Sequence, residues 1–185
     1  MMDVLSDKQP LQLNNALWEY ACSRYTHPEL RDLCLHLQES RGADVNLLLA
    51  AGWTALNGMR MSVQQVHNHV SEWRHRIILP IRLCRQSLNK QICLERKLRS
   101  TALRLEILAE QVELAQIYRH VTEHCRLVPI SEASPPSEKL DIVTICNQNL
   151  LDTLLCEGHA HPVIDSEIER LSFLLLNNET PASDV

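Results

Sequence analysis

The chain has 185 residues, with seven cysteines, four glycines, 4% aromatic residues and a net charge of −5. An ordinary apolar content excludes a disordered protein, and the scarcity of aromatic residues disfavours a sheet. The odd number of cysteines, without a Cys-x-x-Cys pair, argues against a disulfide framework or a structural zinc site. We therefore expect reduced, mostly buried thiols.

Nothing in the sequence predicts export or a membrane span. Residues 1–10 carry Asp3 and Asp7 and lack the apolar centre of a signal peptide. The longest apolar stretch, Leu47 to Trp53, is far shorter than the ~20 residues that cross a bilayer. These features predict a cytoplasmic protein without a membrane partner.

Two short helices are predicted first. Residues 11–25 place apolar side chains at three- and four-residue spacing, and His27-Pro28 interrupts the pattern. Pro28 suits the first turn of a second helix, where its missing N–H would have no partner in any case. Gly42 is the expected C-cap of that helix.

The third predicted helix, Val45 to about Leu56, is apolar on nearly every side. Asp44 is its predicted N-cap. A helix without a polar face is a central helix, so we expect Val45, Leu48, Leu49 and Trp53 in the middle of the core.

A fourth helix is predicted to open at Ser62, which forms a capping-box pattern with Gln65. Pro80 falls inside the apolar pattern that continues from this helix. A proline there predicts a kink or a break, because it removes one backbone hydrogen bond and clashes with the preceding turn.

The longest helical pattern runs from about Gln91 to Arg126. Its apolar positions alternate by four and three residues, which is typical of a helix packed lengthwise on a partner: Leu94, Leu98, Thr101, Leu105, Leu108, Val112 and Ala115. We expect this row to pack on the chain's own helices, because a core needs it. A homodimer through the same helix is the alternative.

The predicted fold is all-α. It is a compact bundle of about five helices over residues 1–128, with a long penultimate helix. Residues 129–137 form a Pro/Ser-rich linker, and residues 138–177 a small C-terminal helical appendage. Residues 178–185 are expected to be a disordered tail.

Half of the chain's positive charge lies between residues 74 and 104. Nine cations and one acid, Glu95, give this segment a charge of +8, and the other nine cations and 22 acids give the rest −13. The nine are the candidate binding residues: Arg74, Arg76, Arg82, Arg85, Lys90, Arg96, Lys97, Arg99 and Arg104.

Three interpretations of this basic segment stay open: a nucleic acid, an acidic protein surface (including the chain's own acidic C-terminal third), or a solvated helix face. If Leu98 points to the core, Arg96, Lys97, Arg99 and Arg104 all point away from it, as surface residues must. No aromatic residues lie among the cations, and no helix-turn-helix or zinc-finger spacing is present.

No catalytic residue, metal ligand or cofactor is predicted. His120, Glu123 and His124 fit the His-x-x-Glu-His pattern of a zinc protease, but no third ligand can be identified, so we regard the spacing as chance. His67 and His69 would point to opposite sides of a helix, and the loop pair His159 and His161 has no supporting ligand.

One family resemblance is present. It is carried by Leu17-Trp18-Glu19-Tyr20, His27-Pro28, the run Gly42 to Leu49 with Trp53, Trp73-Arg74, and Leu79-Pro80 with Leu83. Over residues 11–126 the chain resembles a small proteobacterial family of all-helical proteins of unknown function that includes the TsrA-like regulators of type VI secretion. The resemblance implies a non-enzymatic role in control of gene expression, through silencing at DNA, and no catalytic residues.

The sequence therefore predicts a non-enzymatic, cytoplasmic regulatory protein. It would control gene expression through a partner bound at the basic segment. A DNA-binding transcriptional regulator that uses the same surface is the alternative.

Overall fold

The structure, a computed structural model, describes residues 10–125, 141–156 and 165–177, and within these ranges all regular structure is helical. The prediction of an all-α fold is confirmed, although the helices in the described part outnumber the expected five. They are α1 (Ala16–Tyr25), α2 (Pro28–Arg41), α3 (Val45–Leu56), α4 (Val63–Trp73), a π-helical turn (Arg74–Ile78), α5 (Leu79–Ser87), α6 (Cys93–His124), α7 (Ile142–Cys156) and α8 (Asp165–Leu176).

The ends of the first three helices are set by the residues that the sequence indicated. Pro28 is the first residue of α2, and Gly42 ends this helix in the left-handed conformation, with a φ of 68°. The Asp44 carboxylate accepts a hydrogen bond of 2.9 Å from the Asn46 N–H and so caps α3. Each device satisfies or removes a backbone group that a helix end leaves without a partner.

Helix α3 is the centre of the fold, as predicted, although Val45, one of its expected core residues, is only half-buried. All its residues from Asn46 to Ala55 are buried. It packs against α1, α2, α6, α7 and α8. Each of its fully buried leucines contributes about 1.5–3 kcal/mol of transfer free energy.

Helices α7 and α8 belong to the same core. Ile145 and Leu150 of α7 and Leu171 and Leu175 of α8 are fully buried in one cluster with the leucines of α3. The expected C-terminal appendage is therefore an integral part of the bundle, because the apolar faces of both helices cover α3. The linker at 129–137 and the tail at 178–185 lie outside the described residues.

The expected kink or break at Pro80 takes the form of a π-helical turn. The Leu79 N–H donates to the carbonyl of Arg74, five residues back, and α4 continues into α5 without a break. Proline removes a backbone donor and crowds the preceding turn. The wider turn just before it therefore accommodates Pro80 inside a continuous helix.

The cysteines are less buried than predicted. All seven are free thiols, as expected. Only Cys34 and Cys146 are buried, whereas Cys22, Cys84 and Cys93 are exposed, so the expectation of mostly buried thiols was wrong. Burial raises the pKa of the Cys34 thiol to about 12, which keeps it protonated and unreactive.

None of the helices in the three described ranges is long and apolar enough to cross a membrane.

One buried side chain joins α7 to the loop between α3 and α4. The Asn149 carbonyl oxygen accepts from the Met61 N–H at 3.1 Å and from Arg60 Nη1 at 3.0 Å. Its amide nitrogen donates to Thr54 Oγ1 at 3.1 Å and to the Met59 carbonyl at 3.2 Å. Asn149 therefore satisfies backbone groups that would otherwise be buried without partners.

Replacing Asn149 by leucine should destabilise the protein by about 2–4 kcal/mol, because several buried polar groups would lose their partners. Chemical denaturation measures this change directly. Gln148→Ala, a half-exposed neighbour on α7, is the control and should change stability by less than about 0.5 kcal/mol. Equal effects of the two substitutions would contradict this role of Asn149.

Candidate interaction surface

The α5 helix and the first half of α6 form an arm that contributes almost nothing to the core. We define the arm as residues 79–108, of which only Glu106 is buried. Helix α5 has no buried residue at all. The two segments of the arm pack against each other. Their packing cannot rest on a hydrophobic core of their own.

Ion pairs hold the arm together. Arg82 donates from Nε to Glu106 Oε1 at 2.7 Å and from Nη2 to Glu110 Oε1 at 2.6 Å. Arg85 also donates to Glu106, with Nη2 3.2 Å from Oε1. Burial opposes the charge on Glu106, but the two arginines outweigh it and lower the pKa of this carboxyl. Both arginines are therefore structural.

Arg99 also lies inside the arm, where its guanidinium donates to the Arg85 carbonyl. The prediction that Arg99 points away from the core was wrong, because it took Leu98 as the core direction. The core side of α6 is instead marked by the buried residues Glu106, Ala109 and Glu113. At about 100° per residue, Arg99 lies on the side of Glu106 and Glu113.

A second charged cluster is buried below the arm, at the start of α3. Arg74 Nη1 lies 2.7 Å from Asp44 Oδ2, and both residues are buried. Asn46 Nδ2 donates to Glu113 Oε2 at 2.5 Å, and Glu113 Oε1 has no hydrogen-bond partner. Burial, followed by repulsion from Asp44, raises the pKa of Glu113 to about 9, so this carboxyl is protonated at neutral pH.

The nine predicted binding cations therefore divide into two groups. Five have partners within the chain: the four arginines just described, and Arg76, which pairs with Glu72 at the surface. The other four are exposed and form no ion pair with a described residue: Lys90, Arg96, Lys97 and Arg104.

The described part of the acidic C-terminal third does not neutralise the basic segment. Asp152 of α7 pairs with Arg60 at 3.2 Å. Glu167 of α8 pairs with Arg41 at 2.8 Å. The carboxylates that meet the basic segment come from α4, α6 and the cap of α3.

The apolar row of the long helix is exposed over its first half, so the prediction that it packs on the chain's own helices was wrong there. We call this row the seam and define it as Leu94, Leu98, Thr101, Leu105 and Leu108. Its four leucines are 67%, 52%, 52% and 56% exposed, in chain order. Ala115, farther along the predicted row, is buried.

The arm thus has its ion pairs inside and most of its large apolar side chains outside. Folded monomers rarely expose so many large apolar side chains on one element, and such surfaces typically mark interaction sites. Eight leucines and isoleucines of the arm are exposed: Leu83, Ile92, Leu94, Leu98, Leu103, Leu105, Ile107 and Leu108.

The opposite flank of α6 lines an apolar groove of about 570 Å³. Leu103 and Ile107 line it together with Trp18, Tyr25 and Leu49. Two residues such as Leu103 and Leu105 point about 200° apart on a helix, so the groove and the seam are separate features.

The two histidines of the His-x-x-Glu-His pattern, His120 and His124, stack on one another. The ring of His120 lies 4.5 Å from that of His124 and 4.9 Å from that of His69, measured between centroids. Burial, together with both neighbouring rings, lowers the pKa of His120. No group of three or more potential metal ligands occurs among the described residues, which do not include His159 and His161.

Comparison with known proteins gives one match. Residues 16–117, which include α1 to α5 and most of α6, match the model of a family described as a protein of unknown function (DUF2390). No curated protein and no solved structure matches the chain.

Substituting Glu113 with glutamine should flatten the pH dependence of stability. The folded-state pKa of Glu113, about 9, is above its unfolded value near 4.3, so the folded protein binds the extra proton. The stability that this group contributes is full below about pH 4 and decreases as the pH rises towards 9, by up to about 1.4 kcal/mol per pH unit. Asp44, Arg74, Asn46 and Glu110 face the carboxyl and set its pKa.

Denaturation at several pH values between about 5 and 9 tests this linkage. Glu113→Gln should be more stable than the wild type at the alkaline end. Glu39→Gln, an exposed change on α2, should leave the slope unaltered. An identical slope in the wild type and Glu113→Gln would show that Glu113 ionises normally.

Proposed function

The chain belongs to a family of proteins of unknown function (DUF2390), and we propose that it is a non-enzymatic interaction protein that regulates a partner protein bound at the arm. One observation carries the proposal. Eight exposed leucines and isoleucines share the arm with four cations that form no ion pair with a described residue. A surface of this composition suits a protein partner that is both apolar and acidic.

Direct binding of DNA is the second candidate, since cations on one helical element also suit phosphates. The structure weakens its support, because Arg74, Arg82, Arg85 and Arg99 are bound within the chain. Protein–DNA interfaces are polar and strongly charged. An arm with eight exposed aliphatic side chains matches that description poorly.

We further propose where the protein acts and which process it regulates. The resemblance to TsrA-like regulators supports a cytoplasmic role in control of gene expression, which the bound partner would carry out. A homodimer through α6 would also cover the seam. The cations Lys97 and Arg104 beside the seam make a second copy the poorer fit, because it would place no opposite charge against them.

Charge reversal at the arm tests the proposal. We expect Lys97→Glu with Arg104→Glu to weaken binding of the native partner by at least about tenfold, with folding unchanged, because both side chains are exposed. Affinity capture of the tagged wild type and variant from native cells, followed by quantitative mass spectrometry, measures the loss. Arg76→Glu, an exposed cation outside the arm, is the matched control.

Retention of the same proteins by the wild type and the double variant would refute binding at the arm. A mobility-shift titration with random duplex DNA at about 50 and 200 mM salt distinguishes the second candidate. Affinity that falls steeply with salt, and that the charge reversal abolishes, would favour DNA. Little affinity at low salt is expected for a protein-binding arm.

A further inference from the structure

The seam has the geometry of one half of a coiled coil. Its residues repeat at intervals of four and three along Cys93–His124, an uninterrupted helix. This spacing places one residue of each pair at an a position and the other at a d position of a heptad. From Leu94 to Leu108 the seam is about 22 Å long, at 1.5 Å per residue. An apolar stripe of this shape fits a second helix laid along it.

We propose that the seam binds an amphipathic helix of a partner protein, with leucine-like residues at its a and d positions and Asp or Glu at its flanking positions. This inference rests on the proposed function and specifies the partner's chemistry. Packing would bury the four half-exposed leucines as knobs between side chains of the partner.

The charges beside the seam select an acidic partner. Lys97 and Arg104 lie seven residues apart and each directly precedes a seam leucine, which is the flanking g position of the heptad. Both are exposed and form no ion pair with a described residue. On the other flank, the Glu95 carboxylate accepts from the Asn89 N–H at 2.6 Å. Carboxylates on the partner would therefore meet two available cations.

A second copy of the chain matches the charges beside the seam less well than an acidic helix does. In an antiparallel pair, Lys97 of one copy would face Arg104 of the other, and like charges repel. In a parallel pair, Lys97 would lie opposite Ala102, which has no charge to offer. Neither arrangement pairs the flanking cations, so charge complementarity favours a different protein.

Thr101 is compatible with burial in such an interface. Its hydroxyl lies 3.2 Å from the Lys97 carbonyl of its own helix, to which it donates. The polar group is therefore already satisfied, and its methyl group is left to pack.

Two designed peptides test the inference. Each has four heptads with leucine at a and d; one has Glu at every e and g position, and the other has Lys. Fluorescence anisotropy with the full chain should show binding of the acidic peptide at least about tenfold tighter than of the basic one, since ion pairs at g positions are replaced by repulsion. Lys97→Glu with Arg104→Glu should reverse the preference.

Leucine substitutions locate the site. Leu98→Ala with Leu105→Ala should weaken binding of the acidic peptide. Leu103→Ala should leave it unchanged, because this residue is similarly exposed, at 45%, but lies on the opposite flank of α6. Circular dichroism checks that each variant is folded.

Absence of binding, or binding that ignores the sign of the charges, would overturn the inference. A dimer in sedimentation that Leu98→Ala with Leu105→Ala dissociates would assign the seam to a second copy. If the native partner still depends on Lys97 and Arg104 while neither peptide binds, the arm remains the binding surface and only the helical mode of binding fails.

Discussion

A helix that is apolar on every side is stable in water only when other helices surround it, and α3 is such a helix. Its residues from Asn46 to Ala55 are buried, and it packs against α1, α2, α6, α7 and α8. This requirement determines the packing of the bundle, because α1, α2, α7 and α8 bury apolar side chains in one cluster with those of α3. The C-terminal helices therefore join the core.

The polar residues at the start of α3 also determine how the helices pack. Asp44 and Asn46 cap the helix where it is buried, and they bring Arg74 and Glu113 with them. Removing one partner of such a buried network is costly, because the other partner is left uncompensated. The network fixes the π-helical turn and the middle of α6 against α3. The arm extends from these two anchored segments, so it can remain outside the core.

The sequence allowed much of the fold to be predicted, since local patterns carry the information. Gly42, Asp44 and the apolar run after it determine where helices end and which helix is central. The side of α6 that is buried could not be predicted from the spacing of apolar residues in this helix. Glu106 and Glu113 are buried only because Arg82, Arg85 and Asn46 from distant segments reach them. In the sequence these acids resemble surface residues, and the seam resembles a core.

Because buried acids need cationic partners, some of the nine candidate binding cations are used inside the protein and others stay available to a partner. Arg82, Arg85 and Arg99 hold the arm together, and Arg74 pairs with Asp44 at the start of α3. A count of charges cannot distinguish these four arginines from free cations. Lys97 and Arg104 remain exposed beside the seam. Along the arm, apolar side chains are exposed and ion pairs are shielded, which is the reverse of the usual pattern in soluble helices. Departures of this kind typically occur at functional sites.

We propose that the seam is a binding surface for another protein. Site-specific photo-crosslinking in native cells tests it most directly, with the crosslinking residue placed at Leu98, at Leu105 or at Ser100, which is exposed on another side of α6. We expect one crosslinked partner at Leu98 and Leu105 and none at Ser100. Equal products at all three positions, no product at the seam, or a product of twice the chain's own mass would contradict it.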